Sequence, residues 1–409
     1  MDNVTHALAG MVVAEVAVQG RGGRDALPRT LPAVAYVLSA AANNVPDLDL
    51  LYLGITEGKI GYLVHHRGHT HTFAFALPLA LLTLAPAWAY AKRRGFGSRD
   101  RGTLLALALL GPVLHLALDL TNNYGIHPFW PFDNRWFYGD AIFIIEPLLW
   151  ASVCPALFFA VRARVARIGF ALIAGAGVGL SALSGRVPLP LVGVLAGWTI
   201  LTAAIAARVS AARRVGVAGA AVALVYALFF GAGRRAKAQV ADVYAARFPS
   251  EVLREVVTAP APANPLCWMV IGISDDGRDA VLRRGVATPF GLERLCPVEA
   301  FMGRGTAPLT TEPPTRPPLP ERFAVNGVFR APLAEFRALA RGCHGAAFLQ
   351  WGRAPFWRRL TSGETVLGDL RYDFEPEVGW AEVALPPDGA ACPRNLPAWT
   401  PPRRDWIDP

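Results

Sequence analysis

The chain has 409 residues, 53% of them hydrophobic and 17% charged, and its mean hydropathy is +0.33. Soluble domains carry about 25% charged residues, so this composition excludes an ordinary soluble enzyme and points to an integral membrane protein. The net charge of +9 comes from arginines scattered over short loops and the C-terminal third, with no basic helix or aromatic-basic platform, which argues against a nucleic-acid partner.

The N-terminus has no basic stretch ahead of its apolar run and carries Asp2 and His6, so it is expected to be a retained first helix and not a secretory signal. Apolar runs lie at 4–20, 31–54, 72–91, 103–121, 141–161, 166–184, 189–207 and 215–232. A spanning helix needs about 20 apolar residues; the last six runs fit, and the first two read as tilted or half-inserted. The expected fold is mainly α: a polytopic transmembrane bundle of about eight spans over residues 1–234. An extracytoplasmic domain, mixed α/β or mainly β, is expected over 235–409.

Arginine marks every alternate loop. Arg21, Arg24 and Arg29 lie between the first two runs, and Lys92, Arg93, Arg94, Arg99 and Arg101 between the third and fourth. Arg162, Arg164 and Arg167 follow the fifth, and Arg208, Arg213 and Arg214 the seventh. These loops are expected in the cytoplasm, with both termini outside. Arg234, Arg235 and Lys237, after the last run, oppose this orientation. Beyond residue 240, short runs such as W-M-V-I-G-I and A-A-F-L-Q-W read as strands, and 307–320 reads as a proline-rich linker. Cys267, Cys296, Cys343 and Cys392 all fall in this segment. An even count in an outward-facing domain suggests two disulfides, with three pairings open.

Seven of the eight histidines lie within the first 127 residues. His65, His66, His69 and His71 crowd H-H-R-G-H-T-H; Asp47 and Asp49 sit in N-N-V-P-D-L-D; His115 and Asp119 form H-L-A-L-D. Residues four apart share a helix face, which stacks Asp2 on His6 and His115 on Asp119. Each element alone has a structural reading: a packed His6, a helix cap at Asp47 or Asp49, a solvated histidine loop, a hydrogen-bonded intramembrane pair. The arginine-derived topology nevertheless places all of them at the outer ends of their helices. Imidazole with carboxylate suits zinc, or manganese or iron, better than calcium, and six or so ligands would serve one or two ions. Arg67 would clamp a phosphate with its planar fork. Asn122 and Asn123 read as supporting donors or a turn. Glu146, at the start of the fifth run, reads as a further ligand or a general acid/base. The aromatic loop around His127 reads as a belt at headgroup level.

The motifs M-D-N-V-T-H-A-L-A-G, N-N-V-P-D-L-D, H-R-G-H-T-H-T and H-L-A-L-D-L-T-N-N-Y-G, in this order over residues 1–150, resemble the YdjM-like family of membrane-bound metal-dependent hydrolases. That family is thought to be distantly similar to zinc-dependent phospholipase C and P1 nuclease. The resemblance implies roles for His6, Asp47, Asp49, His66, Arg67, His71, His115 and Asp119, and adds weight to Glu146. His65 and His69 fall at positions less suited to ligation.

The expected function is an inner-membrane metalloenzyme of a bacterium that cleaves a phosphoester of a lipid or lipid-linked substrate at the outer face. His6, Asp47, His71, His115 and Asp119 would hold one or two divalent ions, and a metal-bound hydroxide would attack phosphorus. Arg67 would stabilise the phosphoryl oxygens, and Asp49, His66 or Glu146 would move protons. The alternative expectation is a non-enzymatic membrane protein with a structural metal, whose outer domain binds a partner or envelope component. A transporter fits less well, since paired broken helices with midplane charges are missing from the sequence.

Overall fold

The computed structural model describes residues 1–55, 58–296, 323–373, 379–387 and 389–408; the expected proline-rich linker at 307–320 lies outside them. All eight apolar runs form helices: α1 (Asn3–Gly20), α2 (Leu31–Ala42), α4 (Phe73–Arg93), α5 (Ser98–Asp119), α6 (Pro147–Ala160), α7 (Arg164–Leu183), α8 (Leu189–Arg208) and α9 (Ala211–Arg247). The short α3 (Gly58–His65) lies between α2 and α4. Local signals set the starts. Asp2 caps α1 by accepting from Thr5 N at 2.9 Å, and Thr72 caps α4 by accepting from Phe75 N at 3.2 Å. Pro147 opens α6 behind Glu146.

Five of these helices, α4, α5, α7, α8 and α9, are long and apolar enough to cross a membrane. The expectation of about eight spans is not met by length and composition. Pro46 helps to confine α2 to 12 residues and Val161 ends α6 after 14. In α1, His6, Glu15 and Gln19 dilute the apolar run. Leu77, Leu82, Leu172, Leu183, Leu189 and Ile200 stand exposed on the long helices, as bilayer-facing side chains would.

Small residues set the packing that matters for the site. A Cβ on Gly10 would come within 2.4 Å of Ser39 O, and one on Gly111 within 2.4 Å of the Ala42 Cβ. Helix α2 is thereby pressed between α1 and α5, as small residues allow in membrane bundles. Its C-terminal end at Asn43 then lies beside His6 and His115.

Helix α9 runs unbroken past the expected boundary at 234, and at about 55 Å it outreaches a hydrocarbon layer of about 30 Å. It carries the C-terminal region as a mast. There β1 (Val252–Ala261), β2 (Asn264–Asp275), β3 (Asp279–Ala287) and β4 (Phe323–Pro332) form an antiparallel sheet in sequential order. In the register, Val257 opposes Ile271 and Ile271 opposes Arg284. Trp268 and Val270 pack on Phe229 and Val240 of α9, while Ile271, Ile273 and Leu282 join a second core. The sheet is covered on both faces, hence its long buried runs. The second core includes α10 (Leu333–Arg341), α11 (Cys343–Leu349) and a three-stranded sheet of β5 (Pro355–Arg359), β6 (Thr365–Asp369) and β7 (Glu382–Leu385). A single turn, α12 (Arg404–Ile407), ends the chain. The A-A-F-L-Q-W run lies in and just after α11, not in a strand; its alanines and leucine favour helix and it has no β-branched residue. The disulfides pair Cys267 with Cys296 and Cys343 with Cys392, and Cys154 is free and buried.

Buried charge fastens this region to the bundle. Arg353 forks onto both oxygens of Asp140 at 2.6 and 2.8 Å and also donates to Glu255 at 2.6 Å; Lys237 reaches Asp140 at 2.8 Å. Burial alone would raise the Asp140 carboxyl, but Arg353 and Lys237 hold it below the usual range. Lys237, with Arg235 donating to Pro289 O at 2.7 Å, is thus taken up by interdomain contacts. Removing one member of such a buried network costs about 3–5 kcal/mol. Arg353→Ala should therefore lower the unfolding temperature of the detergent-purified protein markedly, while Arg135→Ala, at an exposed pair, should leave it nearly unchanged.

Candidate metal centre

The ligand-bearing turns meet at one end of the bundle. His115 and Asp119 lie in the last turns of α5, and His6 in the first turns of α1. Asp47 and Asp49 lie in a 3-10 segment (Val45–Ile55) that follows α2, and His71 ends another (His69–His71) just ahead of α4. One atom each from Asp47, His71, His115 and Asp119 lies within 4.8 Å of the others. The two imidazole Nε2 atoms are 3.0 Å apart. Asp119 Oδ2 is 3.3 Å from His71 Nε2 and 3.4 Å from His115 Nε2; Asp47 Oδ1 is 3.4 and 3.7 Å from the same atoms. His71, His115 and Asp119 are fully buried.

The far side of each ring is already engaged. His115 Nδ1 lies 2.8 Å from Asn43 O, a pure acceptor, so it carries the proton and leaves Nε2 with its lone pair. His71 Nδ1 faces Asp49 Oδ2 at 3.4 Å and Thr70 Oγ1 at 3.0 Å. Both Nε2 atoms thus converge on one point beside Asp119 Oδ2, a buried acceptor with no hydrogen bond of its own. Two lone pairs and two carboxylates aimed at one spot call for a cation. His71 registers that demand. Burial works against its protonation, yet hydrogen bonds to Asp119 and Asp47 raise its pKa to about 9. The donor set, two imidazoles and two carboxylates, fits zinc-like ions.

Around these four stand the other expected residues. His6 lies outside this group of four. Its Nε2 meets Asp119 Oδ1 at 3.2 Å, the oxygen turned away from the other imidazoles, and its ring stacks on His115 at 3.8 Å. The Met1 amino group contacts the same Oδ1. Asp2 serves as the α1 cap. Asp49 is buried and accepts from Arg67 N at 2.8 Å, while its Oδ1 lies 3.3 Å from His66 Nδ1. Asp47, Asp49 and His66 form a second group able to hold an ion, with Asp47 common to both. His66 is 14% and Asp47 9% exposed where Asp119 is 0%, so these two are the members of the groups that lie nearest the surface.

Arg67 is 2% exposed and sits at φ 59°. Its Nη1 donates to Asn122 Oδ1 at 2.8 Å, its Nε lies 3.2 Å from Asp119 Oδ2, and its guanidinium covers the Tyr124 ring. Glu146 is elsewhere, in neither ligand group. Its carboxylate accepts from Leu148 N at 3.0 Å and from Ala263 N at 3.2 Å, because the β1–β2 turn comes down onto the start of α6. His65 meets Asn395 O at 3.0 Å, and His69 packs on Trp130 and Trp399. The aromatic loop exposes Phe129 and Phe132, but His127 is buried and stacked on Trp399.

Several supporting groups escaped the sequence reading. Asn43 was part of a quoted motif, but its main-chain carbonyl gave no separate signal. From the C-terminal region, Trp399 Nε1 donates to Val64 O at 2.7 Å and Arg371 Nη1 to Asn123 O at 2.9 Å; Tyr372 donates to Asn123 Oδ1 at 3.0 Å. Nothing local announces such long-range contacts. The His115→Ala, Asp119→Ala double variant should lose bound metal that mass spectrometry finds in the wild type. A Glu146→Gln variant should keep it.

The family model described as YdjM inner membrane protein matches residues 1–238. No curated protein and no solved structure matches the chain, and the expected kinship with phospholipase C and P1 nuclease is not shown. The match takes in every ligand-bearing turn and all five long apolar helices begin within it. The chain belongs to the YdjM inner membrane protein family and is a multi-pass membrane protein with a possible metal-binding site.

Proposed function

We propose that the protein is a metal-dependent hydrolase that cleaves a phosphoester of a lipid or lipid-linked substrate at the outer face of the inner membrane. The observation that carries this reading is the convergence of the His71 and His115 Nε2 atoms on the Asp119 and Asp47 carboxylates, with each ring held from behind. Asp47, His71, His115 and Asp119 would hold the ion. When bound, such a metal polarises a phosphoryl oxygen and acidifies coordinated water.

The chain's own residues supply the rest. His66, oriented through Nδ1 by Asp49, would take the proton of the attacking water as that oxygen bonds phosphorus and the ester P–O bond breaks, and would return it to the departing alcohol oxygen. His6 and Arg67 hold the Asp119 carboxylate from its two sides. Two ions instead of one would put the second among Asp47, Asp49 and His66 and remove His66 from proton transfer. The outer location is supported by arginine in the opposite loops and by two disulfides, which persist in oxidising compartments. A structural, non-enzymatic metal is favoured by one observation, the burial of Arg67 against Asn122 and Asp119, which leaves it little reach toward a substrate.

On the hydrolase reading, His66→Gln keeps the metal and lowers turnover of a phosphoester by about 10²–10⁴-fold. Cleavage unchanged in that variant would remove His66 from proton transfer, and cleavage missing from metal-loaded wild type would favour the structural reading. Alkaline phosphatase fused after residue 408 should be active in cells, and fused in the α4–α5 loop inactive.

A further inference from the structure

A cavity of about 190 Å³ lies inside the bundle among α1, α5, α6 and α9. Its walls are hydrocarbon: Val12, Val13, Leu149, Val153 and Val222 among them. An apolar cavity of about 150 Å³ stays free of water and takes up small hydrocarbons, so an aqueous ligand has no reason to enter here. Helix α1 packs against α5, α6 and α9, whereas α5 and α9 do not pack on each other over any extended surface. The cavity is therefore open sideways between two membrane-spanning helices, and Gly219, one of its lining residues, is exposed. It is continuous with the protein's interface with the bilayer.

Its upper end adjoins the metal centre. Thr5, Leu114 and Leu118 line it, and each is the chain neighbour of a site residue: His6, His115 and Asp119. Tyr226 of α9 also lines it. A molecule with one hydrocarbon chain in this cavity would bring its polar end toward the carboxylate–imidazole cluster, one residue beyond this lining. We infer that the cavity holds a hydrocarbon chain of the substrate, so that the bond cleaved lies at the head of a membrane lipid drawn in sideways between α5 and α9. This rests on the hydrolase reading above and narrows its substrate to lipids with a chain left in the membrane.

The test uses the full chain, metal-loaded, in lipid nanodiscs doped with phosphatidic acid carrying a diazirine at the end of one acyl chain. A parallel sample with a diazirine-tailed polyprenyl phosphate tells an acyl from an isoprenyl source. A Cβ at Gly219 meets no atom within 4 Å, so Gly219→Phe fills the cavity without a backbone clash; Gly216→Phe, on the same helix and equally open, lies outside the lining. The expected result is crosslinking to Val12, Val13 or Val222 that is lost in Gly219→Phe and kept in Gly216→Phe, with metal content unchanged in both. Label spread evenly over the outer helix faces, and indifferent to Gly219→Phe, overturns the inference while leaving the metal centre intact. Label in the cavity with no cleavage of either lipid phosphate by the metal-loaded wild type overturns the hydrolase reading, and with it the assignment of the chain to a substrate.

Discussion

Asp119 is fully buried in the last turn of α5, and its two oxygens divide the labour of the site. Oδ1 is met by His6 and the Met1 amino group; Oδ2 faces His71, His115 and Arg67. A carboxylate at the edge of a hydrocarbon layer is costly unless charge and hydrogen bonds compensate it. Here the compensation comes from three separate stretches of chain, so the carboxylate fixes how α1, α5 and the 65–71 segment meet. Asp47 adds a second negative charge to the same pocket. Arg67 and the Met1 amino group lie on the Asp119 side, so a cation held between His71 and His115 would serve both carboxylates.

The C-terminal region completes the arrangement from above. Trp399 and Arg371 bind main-chain carbonyls at Val64, Asn123 and Tyr124, which flank His66, Arg67 and Asn122. Arg353 anchors the loop end at Asp140 and, through Glu255, ties it to Arg403. The described residues of the C-terminal region therefore act on the site through its supporting loops, without adding a side chain to either ligand group. Glu146, read in sequence as a proton carrier, belongs to this fastening: it receives the β1–β2 turn at Ala263.

What the sequence disclosed was what depends on local spacing. The His115–Asp119 pair, the H-R-G-H-T-H cluster and N-N-V-P-D-L-D were readable because each packs its chemistry into a few residues, and all three arrive at one place. Eight apolar runs became eight helices for the same reason. Less was readable where tertiary contacts decide. Whether α1, α2 and α6 cross the membrane depends on neighbours as well as hydropathy. The place of His6 beside the ligands follows from which Asp119 oxygen it faces, and the Asn43 carbonyl behind His115 follows from the close approach at Gly10 and Gly111. Arg67 resembled a phosphate clamp in its motif, but its burial over Tyr124 is a property of the folded loop.

The central claim is that His71, His115, Asp47 and Asp119 enclose a metal ion. X-ray absorption at the zinc edge of the zinc-loaded protein tests it most directly. The account predicts a first shell of nitrogen and oxygen at about 2.0–2.1 Å, with the outer-shell pattern of two imidazoles. A shell containing sulfur at about 2.3 Å, or a hydrated ion with no imidazole, would contradict it.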